Sequence, residues 1–302
     1  MKHIVRLCAL CAALLALAAC NNLEPPSMPA DTTALAQDEW PALATTACGE
    51  GETGNMSQTG ATGPKTTVQP GTTEPKATAP PQVVTVVIPE GFTFYQVARR
   101  LEANGVCTAK DFYNAAQGYQ VQSFSVPFSP ESCYRYEGCL FPDTYEFYQG
   151  DDPEAVLRKL LNNYAAKSGL PDYDTLILAS IIERETRSGE HMAMVSSVFH
   201  NRLARGMRLQ ADATILYVEN HIKKDLLVKN PRQYAERYNT YKCAALPAGP
   251  ICSPSRRAIE AAKNPSQSDY LYYFFGNDNT NHYSLTHEEH EAAMAKYGVQ
   301  SS

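Results

Sequence analysis

Leu176-Ile177-Leu178-Ala179-Ser180-Ile181-Ile182-Glu183-Arg184-Glu185 is the segment on which the fold turns. Its first two turns are apolar on all sides, and a helix that is apolar all round belongs in a core. Pro171 and Asp172 just ahead of it mark its start. Glu183 and Glu185 are therefore expensive residues. A buried carboxylate either pairs with a cation or keeps its proton through a raised pKa, and the second case makes it a candidate general acid. At about 100° per residue the two acids point some 200° apart, so they cannot face one substrate together. The competing reading makes both structural, paired with Arg184, Arg187 or Arg202.

Outward from that helix, residues 151–302 read as a mostly helical domain with a short antiparallel sheet. Asp152-Pro153 opens one helix and another follows Gly189. A short extended piece is expected at Leu209–Ala211, a hairpin from Tyr270–Phe275 and His282–Leu285, and a last helix from about His287. Upstream, Val84, Val86 and Ile88 alternate as a strand, Thr93 caps a helix that Gly105 stops, and Thr108 with Asp111 opens a second. Leu140–Tyr148 reads as a returning strand. Residues 83–150 thus form a strand-helix-helix-strand subdomain that resembles the LysM glycan-binding modules in element order. The class is α+β.

Lys2 and Arg6 precede an apolar run, Leu7–Ala19, too short to span a bilayer, and Leu17-Ala18-Ala19-Cys20 resembles the lipobox of bacterial lipoproteins. Residues 1–20 are read as a signal peptide, with Cys20 the acylated anchor holding the chain on the extracytoplasmic face of the cell membrane. Residues 21–82, rich in Pro, Thr, Gly and Ser, read as a disordered tether with a root-mean-square span of roughly 40 to 45 Å. The only tryptophan, Trp40, falls there, while all 18 tyrosines lie between Tyr95 and Tyr297, so sugar stacking in the folded part would use Tyr or Phe. A net charge of -6 without a basic stripe argues against nucleic acid. With Cys8 and Cys11 in the signal, six cysteines remain, Cys48, Cys107, Cys133, Cys139, Cys243 and Cys252, and sequence cannot choose among their 15 pairings. Cys243 and Cys252 bracket a loop of about ten residues, which a disulfide could staple.

The segment continues through Val198-Phe199-His200-Asn201-Arg202-Leu203, Gly206-Met207-Arg208-Leu209-Gln210-Ala211-Asp212-Ala213-Thr214, Tyr238-Asn239-Thr240-Tyr241, Leu246-Pro247-Ala248-Gly249-Pro250 and Tyr270-Leu271-Tyr272. Glu137-Gly138 and Leu140-Phe141-Pro142-Asp143-Thr144-Tyr145 precede it. Together these closely resemble the endolytic murein transglycosylases, the YceG-like family, and ordered motifs over some two hundred residues are far more specific than a lone pattern. Ala213 and Ala248 depart from prolines common in the family, and Ala245 from a glycine; no reacting group is lost.

The resemblance implies that Glu183 is the acid/base of a lytic transglycosylase. Such an enzyme cleaves the MurNAc-GlcNAc β-1,4 bond of peptidoglycan strands and leaves 1,6-anhydro ends, with one carboxylate and no cofactor. It also implies glycan polymerases and penicillin-binding proteins as partners. Gln210, Asp212, Thr214, Asn239 and Tyr241 match polar family positions and are candidates to line the cleft. Turn-making and helix-capping are the competing roles for Asp212 and Thr214. A non-catalytic glycan-binding lipoprotein and a hydrolytic muramidase are the rival functions. His282, His287 and His290 lack the zincin spacing, and no metal is expected.

Overall fold

A computed structural model describes residues 82–298 apart from 127 and 187. The expected signal segment, the lipobox Cys20, the tether to residue 81, Trp40 and Cys48 lie outside the described residues. Those described belong to one compact unit, and among them no helix is long and apolar enough to cross a membrane.

Strand β1 (Val83–Ile88) pairs antiparallel with β2 (Asp143–Tyr148), Val86 opposite Tyr145 and Val84 opposite Phe147. One face of the pair, with Val86, Ile88, Tyr145 and Phe147, is buried, as period-2 alternation requires. Between them lie α1 (Phe94–Ala103) and α2 (Ala109–Gly118). Thr93 and Gln96 form a reciprocal capping box at α1, and Thr108 accepts from the Asp111 N–H at α2. The returning strand is shorter than expected: it begins at Asp143, because Pro142 has no N–H to give a ladder.

Helices α3 (Pro153–Lys167), α4 (Tyr173–Glu185) and α5 (Gly189–Ala204) follow. Asp152 and Asp172 cap the first two through the N–H groups of Ala155 and Thr175. Every residue of α4 from Leu176 to Glu183 is buried, so the all-round apolar pattern does mark a core helix.

Beyond α5 the sequence reading misses several short elements: α6 (Asp212–Tyr217), a π-helical turn at Val218–Ile222, α7 (Tyr234–Arg237) and α8 (Arg256–Lys263). Leu209–Ala211 forms no strand. Gln210 has φ of 52°, and the N–H groups of Gln210 and Ala211 are taken by the Thr240 carbonyl and hydroxyl instead of a ladder. The expected hairpin is present as β3 (Tyr272–Phe275) and β4 (Asn281–Ser284), and α9 (His287–Tyr297) starts at a Thr286/Glu289 capping box. α8 packs against both α4 and α5, and α6 packs on α4.

The Cys243–Cys252 staple is not formed; both thiols are free. The Cys252 sulfur is buried against α4, 3.3 Å from the Ser180 carbonyl, while the Cys243 sulfur faces the carbonyls of Glu236 and Arg237 at the end of α7. The two sulfurs are committed to different elements.

Candidate active site

Glu183 sits two residues from the end of α4 and is buried, though with 9% exposure it is the least enclosed residue of the run from Leu176. The Ser255 backbone N–H donates to its Oε2 at 2.8 Å, and the Ser255 hydroxyl adds a second hydrogen bond. Ser255 is held in place as the N-cap of α8, where its Oγ accepts from the Ala258 N–H. Two residues back, Ser253 exchanges backbone hydrogen bonds with the turn at Gly91: Gly91 N–H to Ser253 O at 2.9 Å and Ser253 N–H to Phe92 O at 2.7 Å. Gly91 is needed there. Its φ is 77°, a left-handed backbone that residues with a side chain rarely adopt.

Burial raises the Glu183 pKa from its ordinary value, helped by the charge of Glu90; the Ser255 hydrogen bonds and Arg184 pull the other way. The carboxyl thus holds its proton to higher pH than an exposed glutamate, and it also has donors ready to receive the anion once the proton leaves. A general acid that must later act as a base needs both.

Glu185 faces elsewhere, as the 200° separation requires. Its Oε2 accepts from the Tyr273 hydroxyl at 2.8 Å, and its pKa is raised by burial and by Asp212, against the Tyr273 and Ala213 hydrogen bonds. Of the cations expected at these acids, Arg184 acts on both by its charge only, Arg187 lies outside the described residues, and Arg202 is hydrogen-bonded elsewhere. Its Nε donates to Leu271 O at 2.6 Å and its Nη1 to Leu209 O at 2.7 Å, with the guanidinium 5.1 Å over the Tyr272 ring.

The structure brings the five candidate cleft residues together, on the Glu185 side of α4. The Tyr241 hydroxyl donates to Asp212 Oδ1 at 2.7 Å, Asn239 Oδ1 accepts from the Tyr241 N–H, and the Gln210 amide oxygen lies 3.5 Å from Arg202 Nη1. Gln210 and Asp212 are exposed. Thr214 is the correction: it is 0% exposed, and its hydroxyl donates to Ala211 O and meets Thr240 Oγ1. That leaves it bracing the turn rather than facing a ligand.

Three groups that position Glu183 escape the motif reading: Ser255, Ser253 and Gly91. Only Ser255 carried a signal, since a serine ahead of the periodic Ala258, Ile259, Ala261 and Ala262 reads as a helix cap. The histidines are packed as rings: His282 stacks on Tyr297 and pairs with Asp278, and His290 stacks on Tyr272.

Comparison with known proteins adds the following. The YceG-like family model matches residues 66–296. An endolytic murein transglycosylase of Streptococcus pneumoniae (strain D39) is 29% identical over 258 residues, which cover 75% of this chain and 46% of that protein. One from Bacillus subtilis (strain 168) is 34% identical over 175 residues, 53% of this chain and 48% of that one. The chain thus spans about half the length of the curated relatives it matches. A crystal structure of a YceG-like protein from Listeria monocytogenes superposes with a TM-score of 0.57 at 30% identity, covering 69% of this chain and 74% of the other.

Proposed function

This chain belongs to the YceG-like family, and we propose that it is an endolytic lytic transglycosylase acting on peptidoglycan glycan strands, with Glu183 as its single acid/base. The observation that carries the reading is the setting of Glu183: its pKa raised by burial near the end of α4, and its carboxyl held by donors that stabilise the anion. In the first half of the reaction Glu183 passes its proton to the glycosidic oxygen as the bond from MurNAc C1 breaks. In the second, the Glu183 carboxylate takes the proton of the same MurNAc C6 hydroxyl as O6 bonds to C1. Glu183 ends protonated, a 1,6-anhydro ring is formed, and no water is consumed. A hydrolytic enzyme using two carboxylates would need a partner acid across the scissile bond, and Glu185 is tied to Tyr273 on another side of the helix.

Gln210, Asp212, Asn239 and Tyr241, gathered on the Glu185 side of α4, would bind the strand away from the reacting bond. The names of the pneumococcal and Bacillus relatives support murein as the substrate. Cys20 lipidation would hold the enzyme at the membrane, with the tether giving it reach and the LysM-like order of residues 83–150 offering a further glycan contact. Cutting nascent strands near their polymerases and penicillin-binding proteins would set strand length.

The test is digestion of purified glycan strands by the wild type and by Glu183→Gln. New strand ends should appear only with the wild type, while circular dichroism of the variant stays unchanged. Wild-type turnover by Glu183→Gln would refute the assignment.

A further inference from the structure

Glu137 is 2% exposed, forms no ion pair among the described residues, and lies 46 positions before Glu183 in sequence. Its two oxygens reach two separate parts of the chain: Oε1 accepts from the Phe94 N–H, the first residue of α1, at 2.9 Å, and Oε2 accepts from the Tyr217 hydroxyl at the end of α6 at 2.8 Å. The next residue, Gly138, touches a third. With φ of 82°, it lies so close to the loop before α8 that a Cβ would stand 2.8 Å from Pro250 Cβ and 3.3 Å from Leu176 Cδ2 on α4. The Phe94 and Pro250 segments are the two that meet at Ser253, through the Gly91 and Phe92 backbone, immediately before Ser255 donates to Glu183.

We propose that Glu137 is a positioning residue for the Glu183 carboxyl: by fixing the start of α1 against α6 it sets the Gly91–Phe92 turn, hence Ser253, hence the Ser255 N–H on which Glu183 rests. A buried acid is a costly way to hold a helix end, since Thr93 already caps α1 with its own side chain. What Glu137 supplies beyond a cap is a tie between segments distant in sequence, one oxygen taking the Phe94 N–H and the other pairing with the Tyr217 hydroxyl, a group that can accept the acid's own proton as well as donate. Burial raises its pKa from 4.5 to about 8, so near neutral pH it is mainly the uncharged acid, and no counter-ion is required. The neighbouring Tyr134, Cys133, Cys139 and Asp225 contribute no cation.

The inference rests on Glu183 being the acid/base, so the experiment reads geometry and turnover separately. Amide hydrogen exchange of Ser253 and Ser255, kcat and KM on purified glycan strands, and Tm are measured for the full chain as wild type, Glu137→Gln, Glu137→Ala and Tyr217→Phe. Glu137→Gln keeps two hydrogen-bonding atoms in the same shape and should retain near wild-type kcat and exchange. Glu137→Ala should exchange Ser253 and Ser255 faster and lose up to about 10²-fold in kcat, the scale of an ångström-sized misplacement, with KM little changed. If Glu137→Ala fails to fold, Tyr217→Phe decides the matter, with the same two changes expected at smaller size. A folded Glu137→Ala or Tyr217→Phe with wild-type exchange at Ser255 and wild-type kcat overturns the proposal. If the wild type itself cuts nothing, the acid/base reading fails while exchange still decides whether Glu137 positions Glu183.

Discussion

Glu183 and Glu185 stand two residues apart on one core helix, and burial raises the pKa of both, yet their surroundings are built from different material. Around Glu183 the hydrogen-bonding partner among the described residues is Ser255 alone, by its N–H and its hydroxyl, at the N-terminus of α8 on a loop that residues 91–92 hold through Ser253. Around Glu185 is a side-chain network, with Tyr273 donating directly beside the Ala213 N–H, Asp212 acting by its charge, and Arg202 and Tyr241 nearby. A helix N-terminus favours the carboxylate without tying up its proton, whereas a network of side chains holds it in one arrangement. The first setting suits an acid that must give up and regain a proton; the second suits a brace.

That contrast can be broken from either side. Gly138→Ala should have the largest effect on stability. It combines a left-handed backbone with overlap at Pro250 and should cost about 2 to 5 kcal/mol in denaturant unfolding, with turnover falling alongside. A variant as stable as wild type would show that the close approach to Pro250 does not constrain the loop. Tyr273→Phe leaves Glu185 without its hydroxyl donor and should cost about 1 to 3 kcal/mol, with turnover close to wild type. Large loss of turnover at unchanged stability would instead put Glu185 in the chemistry.

The pH dependence of stability sharpens the same point. Glu137 carries a raised pKa, about 8 against an ordinary 4.5, so between those values the folded chain holds a proton that the unfolded chain releases. The contribution is full below about 4.5 and is lost as pH rises through about 8; Glu183 and Glu185, shifted in the same direction, add to the decline. Glu137→Gln should flatten the fall in unfolding free energy between pH 5 and 8, and an unaltered slope would contradict the burial argument. The smallest effect is expected of reductant. With Cys243 and Cys252 free, dithiothreitol should leave Tm unchanged; Cys243, half-buried, should alkylate in the native state and Cys252 only on unfolding. A non-reducing peptide map joining the two would restore the staple.

The sequence told these regions apart unequally. The core helix, its caps and the opposed acids follow from local periodicity, and the hairpin follows from alternation. Tyr241 and Asp212 were visible as side chains in a motif, and they do pair. The cradle of Glu183 was not visible, because a backbone N–H has no residue-type signature and Ser255 reaches Glu183 across 72 positions. Thr214 and the Cys243–Cys252 pair failed for a related reason: polarity and spacing say what a side chain can do, and only packing says which way it points. Gly138 and Gly91 are legible afterwards as the two glycines that let those loops close on each other.

The central claim is that Glu183 drives a cut in which O6 of the sugar, not water, attacks C1. Digestion of purified glycan strands by the wild-type protein in ¹⁸O-enriched water, read by mass spectrometry, tests it most directly. Attack by O6 gives new MurNAc ends that are lighter by one water than a reducing end and carry no ¹⁸O. Reducing MurNAc ends bearing ¹⁸O would contradict it and make the protein a hydrolase.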